Sequence, residues 1–180
     1  RTEHLAEGVT LIQGDCREII PTLGRVDALV MDPPYGVNAA VNTSNEKIIG
    51  DETTAVRDEI LRSVDCRAAI VFGTPKQPKP TGAHITLVWS KGIHVGMGDL
   101  KFPWKLTHEE IYILGDKSVF SGHRGESVLS VPAIYPNLPA ANEARGEPLQ
   151  HPTQKPIGLM VELIRKVAAP IVLDPFMGPG

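Results

Sequence analysis

Twice in this chain an apolar run stops at an aspartate followed by proline. Val26-Asp27-Ala28-Leu29-Val30-Met31 runs into Asp32-Pro33-Pro34, and Ile171-Val172-Leu173 runs into Asp174-Pro175. Proline lacks the N–H that a sheet ladder needs and disfavours helical conformation in the residue before it, so each run is a strand that must end where Asp-Pro begins. Gly8 to Gln13, Ala68 to Gly73, His84 to Trp89 and Glu110 to Leu114 read as further strands. Helical stretches alternate with them. One opens at Asp15 and is stopped by Pro21, and another covers Ala55 to Val64. A third starts at Pro156, where Ile157, Met160, Val161, Ile164 and Ala168 recur at helical spacing with Glu162, Arg165 and Lys166 opposite. This alternation predicts an α/β domain with a mostly parallel sheet. Ligands of such sheets bind at the carboxyl ends of the strands, where both Asp-Pro segments fall.

The 180 residues suit a single domain, 42% hydrophobic and 22% charged, which sets aside disordered and fibrous classes. Gly36 to Thr54, with Asn38, Asn42, Asn45 and Gly50, reads as a long mobile loop, Thr74 to Pro80 as a Pro/Lys linker, and Gly115 to Gln150 as an irregular surface insertion. Apolar runs fall far short of the roughly 20 residues that span a bilayer, so no membrane span is expected. Arg stands at position 1 with no charged-then-apolar leader after it, so the chain reads as a trimmed piece. Cys16 and Cys66 have neither zinc-site spacing nor the number for a disulfide framework, which fits the cytoplasm. His108-Glu109-Glu110 lacks the second histidine of a metal motif, and no metal is expected. A net charge of −3 excludes a uniformly basic coat but not a local basic face.

Asp32-Pro33-Pro34-Tyr35 combines a carboxylate, a rigid turn rich in carbonyl acceptors, and an aromatic ring. Asp32 and a turn carbonyl can accept the hydrogens of a planar amino group while Tyr35 stacks on its ring, as in enzymes that flip a base. On these residues alone the segment is equally an ordinary tight turn. Asp174-Pro175-Phe176-Met177-Gly178-Pro179-Gly180 is a glycine-containing loop that either lets backbone approach a ligand closely or simply joins strand to helix. His151-Pro152-Thr153-Gln154-Lys155-Pro156 sets a hydroxyl, an amide and a cation before a helix N-terminus, suiting a ligand carboxylate; the plainer reading is a Thr153 cap with a solvated Lys155. Asp15 can accept from an adenine amino group or, with Glu18 three residues on, cap its helix.

Gly14-Asp15, Asp32-Pro33-Pro34-Tyr35, His151-Pro152-Thr153-Gln154-Lys155-Pro156 and Asp174-Pro175-Phe176-Met177-Gly178-Pro179-Gly180, in this order, resemble the beta group of DNA amino-methyltransferases, which are circularly permuted. Trp89-Ser90-Lys91-Gly92 and His108-Glu109-Glu110 extend the resemblance through the middle of the chain. It implies a Rossmann-like, doubly wound, circularly permuted methyltransferase fold over 1–180: a catalytic part to about residue 114, an insertion over about 115–150 for target recognition, and a cofactor-binding part over about 151–180, cut short at Gly180. Asp32, Pro33, Pro34 and Tyr35 would hold the target amine. Asp174, Phe176, Gly178 and Gly180 would contact the methionine part of S-adenosylmethionine (SAM), His151, Thr153, Gln154 and Lys155 its carboxylate end, and Asp15 its adenine.

The implied reaction is methyl transfer to N6 of adenine in a specific double-stranded DNA sequence, with N4 of cytosine as the rival target and a truncated, non-catalytic DNA-binding relative as the rival class. A homodimer and a cognate restriction endonuclease are the partners such a protein can have, in the cytoplasm of a bacterium or archaeon, or of phage origin. Lys76, Lys79, Lys91, Lys101, Lys105, Lys117, His123 and Arg124 are candidate DNA contacts. A nucleotide-dependent oxidoreductase would need G-x-G-x-x-G and a later acid, which the sequence lacks.

Overall fold

Most of these strands form in the computed structural model, which describes residues 1–38, 49–92, 100–134, 142–143, 146 and 154–177. In chain order the elements are β1 (Thr2–Ala6), β2 (Val9–Ile12), α1 (Cys16–Ile19), β3 (Val26–Met31), α2 (Ala55–Ser63), β4 (Cys66–Gly73), β5 (Ala83–Ser90), β6 (His108–Gly115), β7 (Val128–Ser130), α3 (Ile157–Ile164) and β8 (Val172–Leu173). β1 and β2 make a separate antiparallel hairpin, and the other strands form one sheet in the order β7-β5-β6-β4-β3-β8. β3 runs parallel to β4 and β8, and β5 parallel to β7, while β6 is antiparallel to both its neighbours. Every strand of this sheet except β6 therefore points the same way.

Because both faces of the sheet are covered, its central strands are apolar at nearly every position instead of alternating. Val30, Ile70 and Phe72 face one side, where Trp89, Ile111 and Leu129 pack with Leu159 and Leu163 of α3. Leu29, Met31, Ala69 and Val71 face the other, against Ile60 of α2 and Ile20 just after α1. No helix among the described residues is long and apolar enough to cross a membrane.

Three expectations change. The hairpin adds β1, whose Thr2-Glu3-His4-Leu5-Ala6 sequence is mostly exposed and shows no apolar alternation. The insertion expected over 115–150 is not wholly irregular, since β7 pairs with β5 through Val88↔Val128 and Ser90↔Ser130. The packing face of α3 is also not the expected one. Leu159 is 0% exposed and Leu163 is buried, whereas Ile157 is 55% exposed and Val161 and Ile164 face solvent. Ile-Gly-Leu-Met-Val-Glu-Leu-Ile is apolar nearly all round, so spacing alone selects no face. Contact with Phe72, Trp89 and Ile111 decides it. The helix also stops before Ala168, because the Ala168 N–H donates to the Val119 carbonyl at 2.8 Å and Val167 bridges to Phe120.

This orientation is testable by urea unfolding. Leu159→Ala should cost about 2–5 kcal/mol, and Ile157→Ala about 0.5 kcal/mol or less. Equal losses would contradict it.

Candidate active site

The chain leaves β3 at Met31 and turns at once. Gly36, at φ +75, makes the reversal; a Cβ there would meet the Thr53 carbonyl carbon at 2.7 Å. Buried Asp51 accepts the Gly36 N–H at 2.7 Å and the Val37 N–H at 3.4 Å, and its own carbonyl accepts from Asn38 at 2.9 Å. Gln77 Nε2 donates to the Gly36 carbonyl at 2.6 Å. The described ends of the segment expected as a mobile loop are thus tied down by a buried carboxylate and a linker amide, and 39–48 lie outside the described residues.

Within this brace, Asp32-Pro33-Pro34-Tyr35 meets side chains from distant parts of the sequence. The Tyr35 hydroxyl lies 2.8 Å from Asp32 Oδ1 and 2.8 Å from Glu109 Oε2, so its single proton serves one carboxylate at a time. Lys155 Nζ donates to Asp32 Oδ2 at 2.5 Å and stands 3.7 Å from Glu109 Oε2. Lys91 Nζ donates to Glu109 Oε1 at 2.7 Å. Two carboxylates, two ammonium groups and a phenol form one network. The Lys155 ammonium also lies 5.1 Å from the Phe72 ring centroid, 5.5 Å from Tyr35 and 6.0 Å from Trp89, within cation–π range of each.

Burial and charge set the protonation of this network. Burial pushes the Tyr35 phenol well above its ordinary value, and the Asp32 and Glu109 charges push the same way. Burial alone would raise Glu109, but Lys155 and Lys91 outweigh it and hold the carboxyl below its usual range. Burial works to lower Lys155, and the two carboxylates overcome it, so its ammonium is held more tightly than in water. The cation is fixed by its partners.

β8 lies beside β3, with Leu29 opposite Leu173, so both Asp-Pro turns leave the sheet side by side. Asp174 Oδ1 accepts the Phe176 N–H at 2.9 Å. Desolvation raises the Asp174 carboxyl, the Phe176 N–H opposes this, and the Asp32 charge adds to the rise. Phe176 packs against the core on the α2 side of the sheet. Gln154 and Lys155 lead through buried Pro156 into α3.

No family model and no curated protein matches the chain. Thirty chains of solved structures do match. One is the crystal structure of an M1.HpyAVI–SAM complex, at a TM-score of 0.56 and 20% sequence identity, covering 93% of this chain and 82% of that one. The fold resembles that of M1.HpyAVI. The methyltransferase-like α/β architecture expected from the sequence is thus shared with a protein crystallised with SAM.

Within the fold shared with M1.HpyAVI, the structure brings together Asp32, Pro33, Pro34, Tyr35 and Lys155, with Asp174 and Phe176 on the adjoining strand end. Asp15 does not join them through any hydrogen bond shown among the described residues. It caps α1 by accepting the Arg17 N–H at 2.9 Å, and the Arg17 guanidinium bound to it holds its carboxyl at about 2. His151, Thr153, Gly178 and Gly180 lie outside the described residues. Among the candidate DNA contacts, Lys91 is turned inward onto Glu109, whereas Lys76, Lys79, Lys101, Lys105, Lys117, His123 and Arg124 are exposed.

Three site residues have no role that their local sequence reveals: Glu109, Asp51 and Gln77. The only signal for Glu109 was its place in His108-Glu109-Glu110; Asp51 and Gln77 looked like ordinary loop residues. Among the described residues no group of three or more His, Cys, Asp and Glu side chains is placed to hold a metal ion. A cleft of about 520 Å³ lined by Asp58, Arg62, Arg67, Thr81 and Gly115 lies at the opposite end of the sheet, by the amino end of β4, and takes no part in this site.

Proposed function

We propose that this chain is a SAM-dependent DNA methyltransferase of the circularly permuted type, acting on the exocyclic N6 of adenine in a specific double-stranded sequence. The observation that carries the reading is the Lys155 ammonium on the Asp32 carboxylate, beside the rings of Tyr35, Phe72 and Trp89. A nitrogen bearing hydrogens already sits against the acceptor, next to an aromatic face. An adenine amino group has the same donor chemistry and brings a flat ring as well.

An exocyclic amine is a poor nucleophile because its lone pair is delocalised into the ring. Hydrogen bonds from the amine to Asp32 and to a carbonyl of the proline turn favour a tetrahedral nitrogen, freeing the lone pair. Tyr35, its hydroxyl pinned between Asp32 and Glu109, holds the base in plane and out of water. SAM supplies a methyl group on a sulfonium sulfur whose departure leaves a neutral thioether. As the nitrogen takes the methyl group, its surplus proton would pass to the Asp32 carboxylate that accepts its hydrogen bond.

The residues present fit this cofactor. Asp174 sets a carboxylate beside the place for a cationic donor, Phe176 adds an aromatic edge, and Lys155 offers a cation for a carboxylate. Cytoplasmic location, a homodimer and a cognate endonuclease belong to the same reading. Calorimetry on the full gene product tests the cofactor: SAM is expected to bind. A product that bound duplex DNA but not SAM would be the non-catalytic relative instead.

A further inference from the structure

Residues 100–106, Leu-Lys-Phe-Pro-Trp-Lys-Leu, present large apolar side chains to solvent. Leu100 and Leu106 are exposed, Phe102 is 59% exposed and Trp104 74%, while the chain's other tryptophan, Trp89, is 2% exposed. The two rings lie 5.6 Å apart at 58°, so they do not stack face to face and leave π-surface for a third planar group. Pro103 stiffens the backbone between them. Lys101 and Lys105 alternate with the apolar side chains, and no acidic residue occurs from Leu100 to Thr107.

The segment stands at the site's end of the sheet. It runs directly into β6, whose Ser90↔His108 pairing and Lys91 N–H to Thr107 carbonyl bond of 2.9 Å close the top of the β5–β6 pair. Glu109, five residues after Trp104, bonds Tyr35. At about 3.3 Å per residue, about 17 Å of extended chain separates Trp104, and about 23 Å Phe102, from Glu109, which bonds Tyr35 of the amine-holding turn.

We infer that residues 100–106 are a DNA-engaging wedge, in which Phe102 and Trp104 stack on bases beside the extruded one while Lys101 and Lys105 face the flanking phosphates. The inference rests on the base-acting reading of the site. Extruding a base leaves neighbours unstacked, and apolar or aromatic side chains inserted at the step take their place. Alternating rings and cations without an acid match an anionic polymer with flat apolar faces; a protein partner or a second copy of this chain makes no such demand.

Trp104 is its own reporter. With the full gene product and a short labelled duplex of mixed sequence, duplex should quench tryptophan fluorescence, and Trp104→Phe should abolish the quench while binding persists. Phe102→Ala combined with Trp104→Ala should weaken duplex binding about tenfold or more and leave SAM affinity, read by calorimetry, unchanged. If the double variant bound duplex as tightly as the parent, the wedge would be wrong and the site reading would stand. A parent that bound SAM but no duplex would overturn both. Loss of concentration-dependent self-association with duplex binding intact would assign the patch to a second copy and overturn the wedge.

Discussion

Asp32→Ala should lower methyl transfer by about 10²–10⁴-fold while the protein still binds SAM. The carboxylate is held in place on one side by the Tyr35 hydroxyl and on the other by Lys155, and it stands on a proline turn braced by Asp51 and Gln77. Alanine keeps the proline turn and its brace, and removes the acceptor that the target amine would use together with one partner each of Tyr35 and Lys155. The loss should therefore fall on turnover, because the hydrogen bond gains strength as positive charge develops on the nitrogen. Lys155 keeps Glu109 at 3.7 Å as a counter-ion, so the cofactor's cation remains. Single-turnover kinetics alongside calorimetry separate the two effects; near-normal turnover would refute the proposed role of Asp32.

Lys155→Met should fail differently. The side chain is almost wholly enclosed between Asp32 and Glu109, and its loss leaves two neighbouring carboxylates with Lys91 as the one cation shown bonded to them among the described residues. Breaking a buried ion pair from one side costs about 3–5 kcal/mol of stability, and losing a charge partner for the cofactor carboxylate weakens binding by about 2 kcal/mol or more. SAM affinity and thermal stability should thus fall together, whereas Asp32→Ala, which breaks the same pair from the other side, should lose stability while keeping SAM affinity. The pH dependence follows from the raised values of Tyr35 and Lys155. Both groups keep their protons in the fold at a pH where the unfolded chain releases them, so the stability they contribute is full below about pH 10 and is lost as pH rises further. Glu109 has the opposite sign: lowered in the fold, it contributes above about pH 4 and is lost on acidification. Urea midpoints across alkaline pH should fall more steeply for the parent than for Lys155→Met or Tyr35→Phe. Parallel curves would contradict the assignment.

The centre of the sheet was legible because it is buried on both faces. β3 needed only an apolar run and the Asp-Pro that ends it, and β4, β5 and β6 followed from similar runs. β1 and β7 are short and largely exposed, so pairing rather than composition makes them strands. α3 was found, but its burial face depends on which residues the sheet offers, and the helix's own sequence does not carry that information. The site divides in the same way. Asp32, Tyr35 and Lys155 stand in segments whose chemistry is local, whereas Glu109 acts through a bond to Tyr35 74 residues away and Asp51 through burial under a turn. Asp15 shows the converse, since its capping residue pattern and its ligand-binding reading start from the same residues and the structure shows the cap.

The most direct measurement is the identity of the methylated nucleoside. Duplex DNA incubated with SAM and the full gene product, then digested to nucleosides, should contain N6-methyladenine, formed about 10²–10⁴-fold more slowly by Asp32→Ala. N4-methylcytosine without N6-methyladenine would move the target to cytosine on the same amine-holding turn. No methylated base at all, from a protein that binds both SAM and duplex, would contradict the assignment of Asp32-Pro33-Pro34-Tyr35 as a catalytic segment.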